Sequence, residues 1–76
     1  MNFGTALAKL KKGGRVARKG WNGKQLHVRI IHAGNAMDKG DAMKNCFGLC
    51  DGKGNIQPGW VASTGDLLAE DWLALK

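Results

Sequence analysis

At Gly13-Gly14 the hydrophobic period of the chain changes, and that switch settles its fold class. Before it, Phe3, Ala6, Leu7 and Leu10 fall at i, i+3, i+4 and i+7, the spacing of one helical stripe. Asn2 stands where it can cap the first turn, and the glycine pair stands where it can end the last. After the switch the period drops to two. Arg15–Arg18 reads as a short strand; residues 25–31 set Leu26, Val28 and Ile30 against His27, Arg29 and Ile31; residues 45–51 set Phe47 and Leu49 against Cys46, Gly48 and Cys50. Asp51-Gly52-Lys53-Gly54 has turn chemistry, so a hairpin is predicted with its return strand over 55–61, where Pro58 and Gly59 mark an edge, a bulge or a break.

Residues 32–45 have little periodicity and read as a loop with one helical turn. Ser63-Thr64-Gly65-Asp66 has the Ser-x-x-acid pattern of a capping box and predicts a short helix, and Trp72–Leu75 is assigned to a last edge strand. The expected architecture is α+β: a small antiparallel β-sheet, the N-terminal helix packed on it, and a short helix before the last strand. The length suits a single ligand-binding domain over 1–76. A chain this short buries only about three-fifths of its unfolded surface, so self-association is expected to stabilise it.

Charge is distributed unevenly. Residues 1–30 carry eight Lys/Arg and no acid, whereas residues 31–76 carry four Lys and six acids, for a net charge of +6. A one-sided positive field favours an anionic partner: nucleic acid, a nucleotide or a phospholipid surface. Lys9, Lys11 and Lys12 need no such partner, because cations suit the carbonyl end of a helix. The first twelve residues lack an apolar run of leader length, and no stretch approaches the ~20 residues that span a bilayer, so a cytoplasmic, reducing setting without membrane contact is expected.

Catalytic and metal chemistry find little support. Cys46 and Cys50 are separated by three residues on a predicted strand, and His27 and His32 have opposite parity, which does not match structural zinc sites. Residues i and i+4 of a strand lie ~13 Å apart, beyond disulfide reach. Ser63, Cys46 and Cys50 lack an elbow or flanking histidine signature, and the carboxylates fall in a turn (Asp51), at a helix start (Asp66) and beside its end (Glu70, Asp71). The glycines of 48–54 lack phosphate-loop spacing. The expectation is a binding protein without cofactor or metal, not an enzyme.

Two segments have binding chemistry. In Arg18-Lys19-Gly20-Trp21-Asn22-Gly23-Lys24 an indole sits on a turn among three cations and an amide: the ring can cover a base, Arg18, Lys19 or Lys24 can meet phosphate, and Asn22 can bond a base edge or ribose hydroxyl. Alternatively Trp21 plugs the end of the core. Trp60-Val61-Ala62-Ser63-Thr64-Gly65-Asp66 offers an aromatic, two hydroxyls and a helix start; its plainer reading is a core tryptophan and a self-satisfied cap. A small basic nucleic-acid-binding module is the rival to a nucleotide-binding protein.

These segments, with the opening Met1-Asn2-Phe3-Gly4 and the run Asp66-Leu67-Leu68-Ala69-Glu70-Asp71-Trp72, resemble the phage-encoded Thoeris anti-defence family, second type. The resemblance implies a homotetrameric, non-catalytic sponge that binds cyclic ADP-ribose isomers, and in some relatives cyclic oligonucleotides, in the cytoplasm of an infected bacterial host. By position it carries Arg18, Trp21, Asn22, Trp60, Ser63, Thr64 and Asp66 to the pocket and makes nucleic acid an unlikely partner. The chain is short between Ile31 and Phe47 for this family, and Ala62 stands where many members have proline.

Overall fold

The computed structural model describes residues 1–21, 25–32, 37–38, 41–42 and 44–75. The order of elements is α1 (Phe3–Lys11), β1 (Arg15–Arg18), β2 (His27–Ile31), β3 (Met37–Asp38), β4 (Asp41–Ala42), β5 (Cys46–Cys50), β6 (Ile56–Pro58), α2 (Thr64–Leu68) and β7 (Trp72–Leu75). A five-stranded antiparallel sheet has the order β6-β5-β2-β1-β7, and β3 pairs with β4 separately. The fold is α+β, with the helices and last strand where the sequence placed them.

Helix α1 is delimited as its sequence requires. The Asn2 side chain accepts from Thr5 N at 2.9 Å. At the other end Gly13 adopts φ 88°, its N–H donates to Leu10 O at 2.9 Å, and Gly14 N donates to Lys9 O at 3.0 Å. This is the paired 5→2 and 6→1 bonding of a Schellman motif. A Cβ on Gly14 would lie 2.9 Å from the Lys9 carbonyl oxygen, so residue 14 is restricted by backbone as well as by the turn.

Strand parity divides the sheet into two unlike faces. Val16, Val28 and Trp72 point towards α1 and, with Ala6 and Leu10, form the fully buried core, around which Phe3, Leu7, Ile30, Phe47 and Leu49 pack. Each fully buried aliphatic of this kind contributes about 1.5–3 kcal/mol. The other face carries Arg15, Ala17, His27, Arg29, Cys50, Leu73 and Leu75; among the described residues no helix packs on it, yet Ala17, His27 and Cys50 are buried there.

Two sequence expectations are corrected. Part of the 32–45 segment, read as a loop with a helical turn, contains the β3–β4 ladder, in register Met37 with Ala42 and Asp38 with Asp41. The return strand expected over 55–61 stops at Pro58. Gly59, at φ 82°, and Trp60 both donate to Phe47 O, at 2.9 and 3.0 Å, so two residues oppose one and the ladder ends in a glycine bulge.

Candidate functional site

The bulge at Gly59 redirects the chain and brings Trp60 against the end of the core. Its ring lies 6.1 Å from Phe47, 6.4 Å from Trp72 and 6.0 Å from Trp21, all edge-on. Trp21 reaches the same place from the opposite side: its N–H closes a turn on Arg18 O at 3.0 Å, and its ring stands 5.5 Å from Trp72. Trp72 is fully buried and anchors the group, while Trp21 and Trp60 are half-buried. Edge-to-face indoles at these spacings are mutually favourable, so two of the three rings are held rigidly with area still open to solvent.

Next to the indoles is the start of α2. Ser63 Oγ accepts from Asp66 N at 3.1 Å, and Asp66 Oδ2 accepts from Ser63 N at 3.0 Å, a complete capping box. The Trp72 indole N–H donates to Asp66 O at 2.9 Å, which ties the cap to the aromatic group. Thr64, the first residue of α2, is exposed.

Arg18 joins the two segments. Its Nη1 donates to Asp66 Oδ1 at 3.1 Å, and its Nε and Nη2 donate to the two oxygens of Asp71 at 2.9 and 3.5 Å. The guanidinium is therefore held in its charged form, raised by the bond to Asp71 first and that to Asp66 second. Arg18 in turn holds the Asp71 carboxyl below the usual range, against a smaller opposing influence of burial. For Asp66 burial is the largest single influence and favours the neutral acid, yet the bonds from Ser63 and Arg18 together outweigh it and lower its pKa. The Met1 ammonium donates to Glu70 O and Trp72 O, on either side of Asp71, and also lowers the Asp71 carboxyl, so two cations and two carboxylates meet at this corner.

The structure thus brings Arg18, Trp21, Trp60, Ser63, Thr64 and Asp66 to one corner; Asn22 and Lys24 lie outside the described residues. Arg18, one of the three cations expected to meet phosphate, makes three hydrogen bonds to carboxylates and keeps its side chain 30% exposed. Asp71 is the participant that sequence reasoning missed. Its signal was the offset of five from Asp66, which by itself names no partner, because the Arg18 fork that binds both comes from the far end of β1.

Cys46 and Cys50 are free thiols on β5. Among the described residues no three His, Cys, Asp or Glu side chains group to hold a metal ion, and no helix is long and apolar enough to cross a membrane.

Comparison with known proteins matches residues 1–75 to the Thoeris anti-defense 2-like domain. The chain is 34% identical over 88 residues to a protein of Bacillus phage SP01 named Thoeris anti-defense 2, with 95% of this chain and 91% of the phage protein covered.

Proposed function

The chain belongs to the Thoeris anti-defense 2-like family, whose role is phage anti-defence, and on that premise we propose that it sequesters a cyclic nucleotide immune signal without cleaving it. The observation that supports this reading most is the half-buried pair Trp21 and Trp60, 6.0 Å apart, beside the Ser63–Asp66 cap. An indole already fixed by its neighbours stacks on a base with little further loss of side-chain freedom. Ser63, Thr64 and Asp66 then present hydroxyls and a carboxylate to ribose hydroxyls, and Arg18 acts as a positioning residue that keeps Asp66 ionised. Asn22 is assigned to the same pocket by its place in the family motif. The ligand class is a cyclic ADP-ribose isomer, or a cyclic oligonucleotide, captured in the cytoplasm of an infected bacterial host by one domain spanning the chain.

The active form is proposed to be a homotetramer. Val61, Leu67 and Leu68 flank the corner and are 83, 49 and 76% exposed, an apolar surface that a second copy would cover.

The decisive experiment incubates the protein with a panel of cyclic ADP-ribose isomers and cyclic dinucleotides, measures free ligand after filtration, then heats the retained protein. Depletion followed by recovery of intact ligand supports sequestration. Trp21→Ala should weaken capture by about tenfold to a hundredfold, the value of one base–indole stack, while Trp72 keeps the fold. No depletion of any ligand would sink the reading, and linearised product at substoichiometric protein would replace it with catalysis.

A further inference from the structure

Acids are scarce in this chain, six against twelve Lys and Arg, and two of them serve one arginine. Arg15 and Arg29, one register step from the Val16–Val28 pair, stand side by side on the open face, and among the described residues neither has a carboxylate partner. Arg18, on the same strand as Arg15, has both Asp66 and Asp71. Charge balance alone would spread the acids over the three arginines, so the second carboxylate on Arg18 needs a reason of its own.

That reason is the way the guanidinium is divided. Nε and Nη2 form one planar fork, and the fork faces the two oxygens of Asp71 at 2.9 and 3.5 Å. Nη1 is left to reach Asp66, through Oδ1 at 3.1 Å, while Asp66 Oδ2 accepts from Ser63 N at 3.0 Å. An ionised carboxylate has about four lone-pair sites, so about two remain on Asp66, and its side chain is 14% exposed. Asp71 is itself braced. Lys19 N donates to its carbonyl at 3.0 Å, and the Met1 ammonium donates to the carbonyls of Glu70 and Trp72 on either side, at 3.2 and 2.9 Å. A carboxylate whose backbone is tied in this way can hold the Arg18 fork without following it.

We infer that Asp71 is a positioning residue of the signal pocket: by holding the fork of Arg18 it limits that arginine to one bond with Asp66, and so keeps Asp66 acceptors open for ligand hydroxyls. Without Asp71 the two-donor geometry becomes available to Asp66, because guanidinium and carboxylate pair best through parallel bonds. Arg18 then turns onto Asp66 and fills the acceptor sites that a ribose would use. The role deepens the sequestration reading and rests on it for the ligand, whereas the orientation of Arg18 belongs to the ligand-free protein.

The test compares the full chain with Asp71→Asn and Asp71→Glu. Carboxyl-labelled NMR of the ligand-free proteins follows the titration of Asp66, and filtration with cyclic ADP-ribose isomers measures capture. In Asp71→Asn the Asp66 carboxyl should titrate at lower pH than in the parent, because the fork has moved onto it. Capture should weaken by about tenfold or more, the loss of one hydrogen bond to a charged acceptor. The same substitution in an Arg18→Gln background, where only the repulsion between the two acids is lost, should shift Asp66 less. Asp71→Glu, which keeps two acceptor oxygens, should restore the parent titration and most of the capture. The inference is overturned if Asp66 shifts equally with and without Arg18 or does not move down, if Asp71→Asn captures as well as the parent, or if both variants lose the cooperative melt. A parent that captures no isomer sinks the sequestration reading and with it the pocket role; the Asp66 shift still reads the orientation of Arg18, so the two failures are told apart.

Discussion

The two faces of the sheet are built from alternating residues of the same strands, yet they obey opposite rules. On the α1 side Val16, Val28 and Trp72 are fully buried and each has a packed neighbour. On the other side Ala17, His27 and Cys50 are buried as well, but Arg15, Arg29, Leu73 and Leu75 share a cavity with solvent. The difference teaches where selection for folding ends: the helix face specifies the structure, and the open face is free to carry chemistry that folding would not choose.

Neighbouring residues of β7 give the sharpest way to break that comparison. Trp72→Ala removes a ring that is 1% exposed and contacts Phe3, Trp21 and Trp60, and should cost about 3–5 kcal/mol. Against the usual 5–15 kcal/mol of total stability, a domain this small should lose most of its cooperative melting transition. Leu73→Ala, one residue on but facing the cavity, should cost about 1 kcal/mol or less. Comparable losses in thermal melts would show that the open face is covered in solution.

The glycines make a second pair, with smaller effects. Gly14→Ala forces a Cβ to 2.9 Å from Lys9 O, where backbone cannot yield without loosening the helix end, and should cost about 1–3 kcal/mol. Gly48→Ala on the cavity side meets Ile31 Cδ1 at 2.5 Å, the far end of a side chain that can rotate, and should cost less. Urea denaturation of both variants checks the order, and a reversal would mean that the ladder between β2 and β5 is tighter than the helix end.

The helix face was legible in sequence because its signals are local. Phe3, Ala6, Leu7 and Leu10 declare their stripe, Gly13-Gly14 declares the stop, and the Ser63–Asp66 cap lies within four residues. The site was only half legible. Trp21, Trp60 and the cap could each be named, but what joins them is the reach of Arg18 across 48 and 53 residues to Asp66 and Asp71, and no local pattern encodes such a contact. The Arg15–Arg29 pair was hidden for the same reason, since parity assigns each to a face and only the strand order makes them neighbours.

Acid should expose the Arg18 junction. Asp66 and Asp71 both have lowered pKa values in the folded protein, so their contribution is present above the ordinary aspartate value of about 3.9 and is lost as pH falls below it. Arg18→Gln should therefore lower stability by a constant amount between about pH 6 and 8, and the gap from the parent should close as pH falls from about 4 towards 2. Asp51, also lowered, is unchanged in both proteins and cancels. A gap that persists undiminished at low pH would assign the loss to packing of the Arg18 stem instead of to the ion pairs.

The smallest effect bears most directly on what the open face is for. If Arg15 and Arg29 repel one another without an internal counter-charge, replacing either by Gln should raise stability, by about 0.2–1 kcal/mol at low ionic strength. The gain should shrink as salt is added, because the Debye length falls from about 30 Å at 0.01 M to about 3 Å at 1 M and screens the parent's repulsion. A stabilising change at a half-buried or exposed arginine runs against the general trend that substitutions destabilise, which makes the sign more informative than the size. Loss of stability at every salt concentration would mean that the arginine stems pack on Leu73 and Leu75 and belong to the fold, and the contrast between the two faces would then be one of charge alone.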